Sequence, residues 1–382
     1  MRGVGGYGRD RILVAMSGGV DSSVAAALLV EEGYDVLGAT MKTFCYSETD
    51  GPSNTCCGLE GIADARRVAD RLGIPHYVFD VEEEFGRDVI DDFVSEYARG
   101  RTPNPCVRCN SNTKFRDLLR RGRRLGCDGI ASGHYARVDR SRPGPPALLR
   151  GRDREKDQAY VLWGLPPELL PLLHLPLGGL TKTEVRERAR ELDLATAEKA
   201  ESQEICFVPT GDYRDLLRRE LRPRHPALQA GPIVTTEGEV VGEHDGYASF
   251  TVGQRRGFGG GFPERMYVVE IRPERREVVI GPREELFACR VVVEAPKWLA
   301  PPPDPGEDVA IQVRYGARAA PARIEALSEE GLTARFDEPQ RAVTPGQSAV
   351  VFRGERVLGG GRIAQATGPS ATPEPPPSER AD

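Results

Sequence analysis

Ile12 to Met16 is an unbroken apolar run, Ser17-Gly18-Gly19 interrupts it, and Val24 to Val30 is again wholly apolar. That order predicts a strand, a tight turn and a helix, with Gly33 suited to the position just past the helix end. Asp35 to Met41 reads as a second strand. Over Leu59 to Leu72 apolar side chains recur at Ile62, Ala65, Val68, Ala69 and Leu72, which is helical spacing, and Gly73 closes the helix. His76 to Phe79 is a third strand, helices follow over roughly Glu83 to Tyr97 and Thr113 to Arg124, and Gly129 to Ser132 makes another strand. Alternation of strand and helix predicts an α/β fold, a parallel sheet with helices on both faces. Ligands of such sheets bind beyond the carboxyl ends of the strands.

Past about residue 215 the pattern changes. Short alternating runs appear at Gly231 to Thr235, Tyr247 to Val252 and Met266 to Ile271, divided by Gly and Pro. From about 286 the chain reads as strands only: Arg290 to Val293, Val309 to Tyr315, Arg323 to Leu327, Leu332 to Phe336, Ser348 to Phe352 and Arg362 to Ala366. Six short strands at that spacing predict a small barrel. Pro369 to Asp382 has no large apolar residue and is expected to be disordered. The expected division is an α/β domain over 1–215, a small β-rich middle domain over 216–285, a C-terminal β-barrel over 286–366 and a tail over 367–382.

Composition narrows the function classes. With 382 residues the chain can bury several cores, and its net charge of −6, from 52 basic and 58 acidic residues, announces no polyanion partner globally. A local basic face remains compatible with that balance. The first eleven residues are rich in Gly and Arg, unlike a signal peptide, and no apolar run approaches the ~20 residues of a membrane helix. A cytoplasmic location without a membrane partner is expected. Eight cysteines in a large α/β chain argue for thiol or metal chemistry rather than a disulfide framework.

The turn after the first strand is the first candidate site. In Ala15-Met16-Ser17-Gly18-Gly19-Val20-Asp21-Ser22-Ser23, two glycines let the backbone approach a ligand, and the new helix offers N–H donors to an anion. Ser17, Ser22 and Ser23 add hydroxyls, and Asp21 is an oxygen ligand for magnesium. The Walker pattern is absent, which removes the kinase-like reading. SGGVDS resembles instead the pyrophosphatase loop of enzymes that split ATP into AMP and pyrophosphate.

The second candidate is Arg101-Thr102-Pro103-Asn104-Pro105-Cys106-Val107-Arg108-Cys109-Asn110. Its prolines predict an extended, stiff, exposed segment. Two thiols at this spacing either share a metal or form a reactive pair. Zinc would need further ligands, and the neighbouring thiols of Cys56 and Cys57 diverge. Cys206, between Ile205 and Phe207, reads on its own as a core cysteine.

Taken together, SGGVDSS, Met41-Lys42, RTPNPCVRCN, Ser132-Gly133-His134-Tyr135, Lys156-Asp157-Gln158, Glu204-Ile205-Cys206-Phe207, Thr251-Val252-Gly253-Gln254-Arg255 and Thr344-Pro345-Gly346-Gln347-Ser348 resemble the tRNA-specific 2-thiouridylases in order and spacing from about residue 11 to 366. The resemblance implies ATP-dependent 2-thiolation of the wobble uridine of tRNAs for Lys, Glu and Gln. ATP adenylates the C2 oxygen, pyrophosphate leaves, sulfur attacks C2 and AMP departs. It places Ala15, Met16, Ser17, Gly18, Gly19, Val20, Asp21 and Ser22 on the ATP phosphates with Mg2+, and Met41 and Gly133 at the adenosine. It makes Cys206 the persulfide carrier and Cys109 the nucleophile, with Arg108 and helix N-termini as sources of a lowered thiol pKa. It assigns Asn104, Pro105 and Cys106 to the target base, and His134, Lys156, Asp157, Gln158, Arg314, Tyr315 and Gln347 to tRNA. Arg255 and Arg256 are candidates for backbone phosphate.

Many members of that family carry Asp where this chain has Cys106, so an acid–base role does not transfer. Cys106, Cys109 and Cys206 could then hold three irons of a [4Fe–4S] cluster, or zinc, and the persulfide and cluster routes both stay open. The implied partners are tRNA and a sulfur donor, either a cysteine desulfurase or a sulfur-relay protein, with the enzyme acting as a monomer. Cys45, Cys56, Cys57, Cys127 and Cys289 are assigned to packing or bystander roles. Synthetases for GMP or argininosuccinate share the loop but need no paired thiols, a thiocytidine enzyme is not expected to have the barrel, and an RNA-binding scaffold would not consume ATP.

Overall fold

The computed structural model describes residues 9–43, 59–200, 205–208 and 211–368. Cys45, Cys56, Cys57, Ser202 to Glu204 and the expected tail from Pro369 lie outside the described residues.

The parallel sheet is built as the periodicity requires. Its strands are β1 (Arg11–Ala15), β2 (Asp35–Lys42), β3 (His76–Asp80), β4 (Gly129–Ser132) and, after a hairpin of β5 (Ala136–Asp139) and β6 (Ala147–Arg150), β7 (Leu173–His174). The order is β3-β2-β1-β4-β7 with all four pairings parallel. Ile12, Leu13 and Val14 are covered on both faces, which is why β1 lacks polar alternation. The chain winds from β1 toward β3 and then returns to β4 on the other side. The gap between the ends of β1 and β4 is therefore the topological switch point, where ligands of such sheets bind.

Two segments differ from expectation. The Glu83 to Tyr97 stretch is Glu82–Phe85, a wide π-helical segment Gly86–Ile90, and Asp91–Ala98. The cysteine motif is helical rather than extended: Pro105–Arg108 is a helical turn that widens into the π-helix Cys109–Lys114 and continues as Phe115–Arg124. Asn104 Oδ1 caps this helix by accepting from the N–H of Cys106 at 3.1 Å, and Pro105 occupies the first helical position. Proline there lacks only an N–H that would have no partner anyway, and its fixed φ suits a helix start.

A second sheet has the order β10-β11-β8-β9, from β8 (Gly231–Thr235), β9 (Val240–His244), β10 (Tyr267–Arg272) and β11 (Glu277–Gly281). The expected strand at Tyr247 is instead a short 3-10 helix, Tyr247–Ser249, whose Tyr247 and Ala248 fill this sheet's core. Phe93 and Tyr97 from the helix Asp91–Ala98 enter the same core beside Ile233, Val278 and Ile280.

All six barrel strands are present as β12 (Phe287–Trp298), β13 (Asp308–Gln312), β14 (Ala320–Leu327), β15 (Gly331–Arg341), β16 (Ser348–Arg353) and β17 (Arg356–Thr367). Pairing of β12 with β17 closes the barrel. Alternation sends Ala320, Ala322 and Ile324 inward while Pro321, Arg323 and Glu325 face out. The barrel also packs on the parallel sheet. Val350, Phe352 and Val357 share one core with Leu13, Phe115 and Ile130, and β6 meets β17 where Leu149 pairs with Arg356.

Candidate functional site

The loop after β1 is shaped by its own hydroxyls. The N–H of Ser17 donates to Ser22 Oγ (3.1 Å), while Ser22 Oγ and Ser23 Oγ both donate to the carbonyl of Gly19 at 3.1 and 2.9 Å. Gly19 caps the helix Val20–Glu31 without a side-chain hydrogen bond, so the helix's first N–H groups remain available to an anion. Gly18 has φ +73°, and a Cβ there would stand 2.2 Å from the carbonyl oxygen of Gly61. A Cβ on Gly133, at the end of β4, would stand 2.6 Å from Asp21 C and 2.7 Å from Ser22 N. Only glycine lets the end of β4 approach the first turn of the helix Val20–Glu31, and the loop approach Gly61 of the helix Leu59–Leu72.

A cavity of about 890 Å3 opens at this switch point, and all ten residues expected at ATP, Ala15 to Ser22 with Met41 and Gly133, line it. His134, Lys156, Gln158 and Tyr315 line it too. Among the further members that sequence reasoning did not assign to the site are Lys114, Tyr135, Lys182 and Lys199, with the carboxylates Glu60 and Glu155. Lys182 Nζ donates to both carboxylate oxygens of Asp21 (2.7 and 2.9 Å), and Tyr135 OH donates to Asp21 Oδ1 at 2.7 Å. Lys182 opens the helix Lys182–Glu191, whose capping box joins Thr181 and Glu184. The string Thr181-x-x-Glu184 marks that helix start in the sequence, but nothing local shows that Lys182 would reach a residue 161 positions away.

The thiols lie outside this cavity. Cys106 is exposed, whereas Cys109 and Cys206 are half-buried and pack against the same apolar cluster as Phe93 and Phe207. Among the described residues no group of three or more His, Cys, Asp and Glu side chains could hold a metal ion. Cys106, Cys109 and Cys206 do not form such a group in this structure, with Cys106 exposed and the other two half-buried against one apolar cluster. The π-helix Cys109–Lys114 spans the distance between thiol and cavity: Cys109 begins it, Lys114 lines the cavity, and the buried Asn110 ties it to the Val161 carbonyl at 3.1 Å. Arg108, expected to activate a thiol, is ion-paired to Asp92 at 3.5 Å.

Several residues expected at tRNA make bonds within the chain. Asp157 accepts from the N–H groups of Gly151 and Ala159 and from Arg150, so its carboxylate organises its own loop. Gln347 Nε2 donates to the carbonyls of Thr102 (2.8 Å) and Pro103 (3.2 Å), and Thr102 donates its N–H to Pro345 at 2.9 Å. Thr102 Oγ1 also meets Thr251 Oγ1 at 3.4 Å, so a loop of the middle domain and the loop before β16 both meet the segment that precedes the cysteines. Arg314 and Tyr315 are exposed, as are Arg255 and Arg256, and Tyr315 stands 6.1 Å from the ring of buried Tyr160.

His134 is buried with Nδ1 2.7 Å from Ser132 Oγ, and burial, reinforced by the charge of Lys114, holds its pKa well below the ordinary 6.5. It is a neutral group of the cavity wall. Burial lowers His76, His174 and His244 in the same direction. Below pH 6.5 the unfolded chain takes up protons that these folded imidazoles refuse, so their stabilisation is complete above that pH and is lost as pH falls. The urea midpoint is expected to drop between about pH 7 and pH 5.5, with a shallower drop in His134→Asn. A midpoint that held or rose on acidification would contradict this.

Residues 10–210 match the family described as tRNA methyl transferase HUP domain, 220–282 the tRNA methyl transferase PRC-barrel domain and 289–363 the aminomethyltransferase beta-barrel domain. The tRNA-specific 2-thiouridylase MnmA of Geobacter metallireducens is 50% identical over 362 residues, covering 94% of this chain and 98% of that protein. That of Rhodospirillum centenum is 48% identical over 374 residues (96% and 94%), and that of Carboxydothermus hydrogenoformans 49% over 361 (93% and 98%).

Proposed function

The chain belongs to the tRNA-specific 2-thiouridylase family, and on that premise we propose that it thiolates C2 of the wobble uridine of tRNAs for Lys, Glu and Gln at the expense of ATP. The observation that carries the ATP part is the 890 Å3 cavity, whose wall is the glycine–serine loop with Lys114, Lys156, Lys182 and Lys199. A loop of N–H donors with four lysines around it suits a triphosphate and its departing pyrophosphate, although Lys182 is paired to Asp21 and Lys199 to Asp64, and Glu60 and Glu155 share the wall. Mg2+ would be held by phosphate oxygens and the Asp21 carboxylate, where it would neutralise charge on the leaving pyrophosphate. Asp21 would then exchange Lys182 for the metal and free an ammonium for phosphate.

The chemistry divides between two places. In the cavity the uridine O2 attacks the α-phosphorus and the bond to pyrophosphate breaks. The terminal sulfur of a Cys206 persulfide then attacks C2, and AMP leaves with the former O2. The Cys109 thiolate attacks Cys206 Sγ, forming a Cys109–Cys206 disulfide and releasing the thiouridine with the electron pair of the broken S–S bond. A thiol reductant reopens the disulfide, and a persulfide-bearing donor protein reloads Cys206. Support for this division comes from the shared apolar wall beneath Cys109 and Cys206 and from the exposure of Cys106. Tyr315, 48% exposed beside the cavity, offers a ring on which an unstacked base can rest. Among the described residues no helix is long and apolar enough to cross a membrane.

The test is incubation with unmodified tRNA, ATP, Mg2+ and a persulfide donor, read by nucleoside mass spectrometry and pyrophosphate release. Equal amounts of 2-thiouridine and pyrophosphate are expected. Absence of pyrophosphate in the complete mixture would overturn the reading in favour of an RNA-binding scaffold.

A further inference from the structure

A closed network of charges joins the barrel to both ends of the cysteine motif. Arg362, on β17, donates Nη2 to Asp92 Oδ1 and Oδ2 at 2.9 and 2.8 Å, and its Nη1 stands 3.0 Å from Glu96 Oε1. Asp92 and Glu96 are one turn apart on the helix Asp91–Ala98 and so share a face. Each carboxylate also holds an arginine of the motif: Glu96 pairs with Arg101 at 2.9 Å, and Asp92 pairs with Arg108 at 3.5 Å. Arg101 continues into the barrel, bonding to Glu294 of β12 and to the Ile363 carbonyl. Glu96, at the centre, is only 2% exposed, so water has little access to replace its lost partner, whereas Arg108 and Glu294 at the ends of the network are partly open to solvent.

We infer that Arg362 is a positioning residue for sulfur transfer: through Asp92 and Glu96 it fixes the turn Pro105–Arg108 and with it the Cys109 thiol. This rests on the proposed function. Arg108 directly precedes Cys109, and the π-helix that Cys109 begins is held by wider turns than an α-helix, so the direction of its first side chain depends on what holds the preceding turn. None of the six charged groups lines the cavity. The consequence is a division of effects: loss of Arg362 impairs the thiol step and spares adenylation. A residue that served stability alone would depress both.

The experiment compares wild type with Arg362→Met and Asp92→Asn in single turnovers at saturating tRNA and ATP. In both variants the pyrophosphate burst should stay within about twofold of wild type while 2-thiouridine forms about tenfold or more slowly, as misplacement of a reacting group implies. The double variant should be no worse than the worse single one, since both cut one chain of contacts. Alkylation of Cys109 by iodoacetamide, followed by peptide mass spectrometry, should change by about threefold or more while that of exposed Cys106 does not. Parallel loss of both rates, additive effects, or unchanged Cys109 alkylation would each overturn the inference. If Arg362→Met does not fold, Asp92→Asn carries the same test. Absence of thiouridine in wild type would instead defeat the proposed function, and the alkylation measurement would still decide the role of Arg362.

Discussion

Replacing Cys109 or Cys206 by serine is expected to reduce 2-thiouridine formation by on the order of a thousandfold or more, while Cys106→Ser stays within about threefold of wild type. A serine oxygen cannot carry a persulfide or close a disulfide, and its hydroxyl remains protonated at neutral pH where a thiol is partly ionised. The contrast with Cys106 comes from placement. Cys109 and Cys206 are half-buried against one apolar wall, whereas Cys106 lies open on the surface of the same helical turn. Both inactive variants should retain nucleotide binding, because neither sulfur lines the cavity proposed for ATP. Nucleoside mass spectrometry on the three purified variants, beside ATP titration calorimetry, checks both statements. A severe loss in Cys106→Ser would show that all three thiols act together and would revive the metal-bound alternative.

Gly133→Ala should remove nucleotide binding from a protein that otherwise keeps its fold. The added methyl would lie 2.6 Å from the Asp21 backbone and 2.7 Å from the Ser22 nitrogen, and no flexible side chain is available to yield. The loop itself must move, and with it the N–H groups aimed at phosphate. Donors aimed at developing charge contribute about a hundredfold or more each in rate, so a displaced loop should cost at least that factor in thiouridine formation, with a comparable loss in ATP affinity. Gly179→Ala is the control: nothing stands within 4 Å of its added methyl, and its effect should be within about 0.5 kcal/mol. Equal ATP affinities for Gly133→Ala and wild type would show that the loop tolerates displacement and that the close approach has no role in binding.

Local order was legible wherever a few neighbouring residues decide it. The switch from β1 through Gly18 and Gly19 into a helix needs only an apolar strand, two residues without a Cβ and a following helix former, and the structure has that arrangement. The helix Leu59–Leu72 and the strands β4 and β8 have the bounds that apolar spacing assigned to them. The prolines of the cysteine motif misled, because proline favours both extended backbone and the first turn of a helix. Asn104, accepting from Cys106, tips the balance toward the helix. The strand expected at Tyr247 failed for a related reason, since a short apolar run does not itself distinguish a strand from a turn buried in a core.

By itself the sequence determined the α/β beginning, the six barrel strands and the part of the switch-point cavity's wall from Ala15 to Ser22, because backbone propensity and side-chain period act over a few residues. Only the tertiary structure decided which distant groups meet: Lys182 with Asp21, Gln347 with Thr102, Arg362 with Asp92, and the hairpin β5–β6 with β17. It also decided that Cys109 and Cys206 share an apolar wall while Cys106 does not. Such pairings depend on how helices and barrel pack across more than a hundred residues of chain, and no local pattern encodes that geometry.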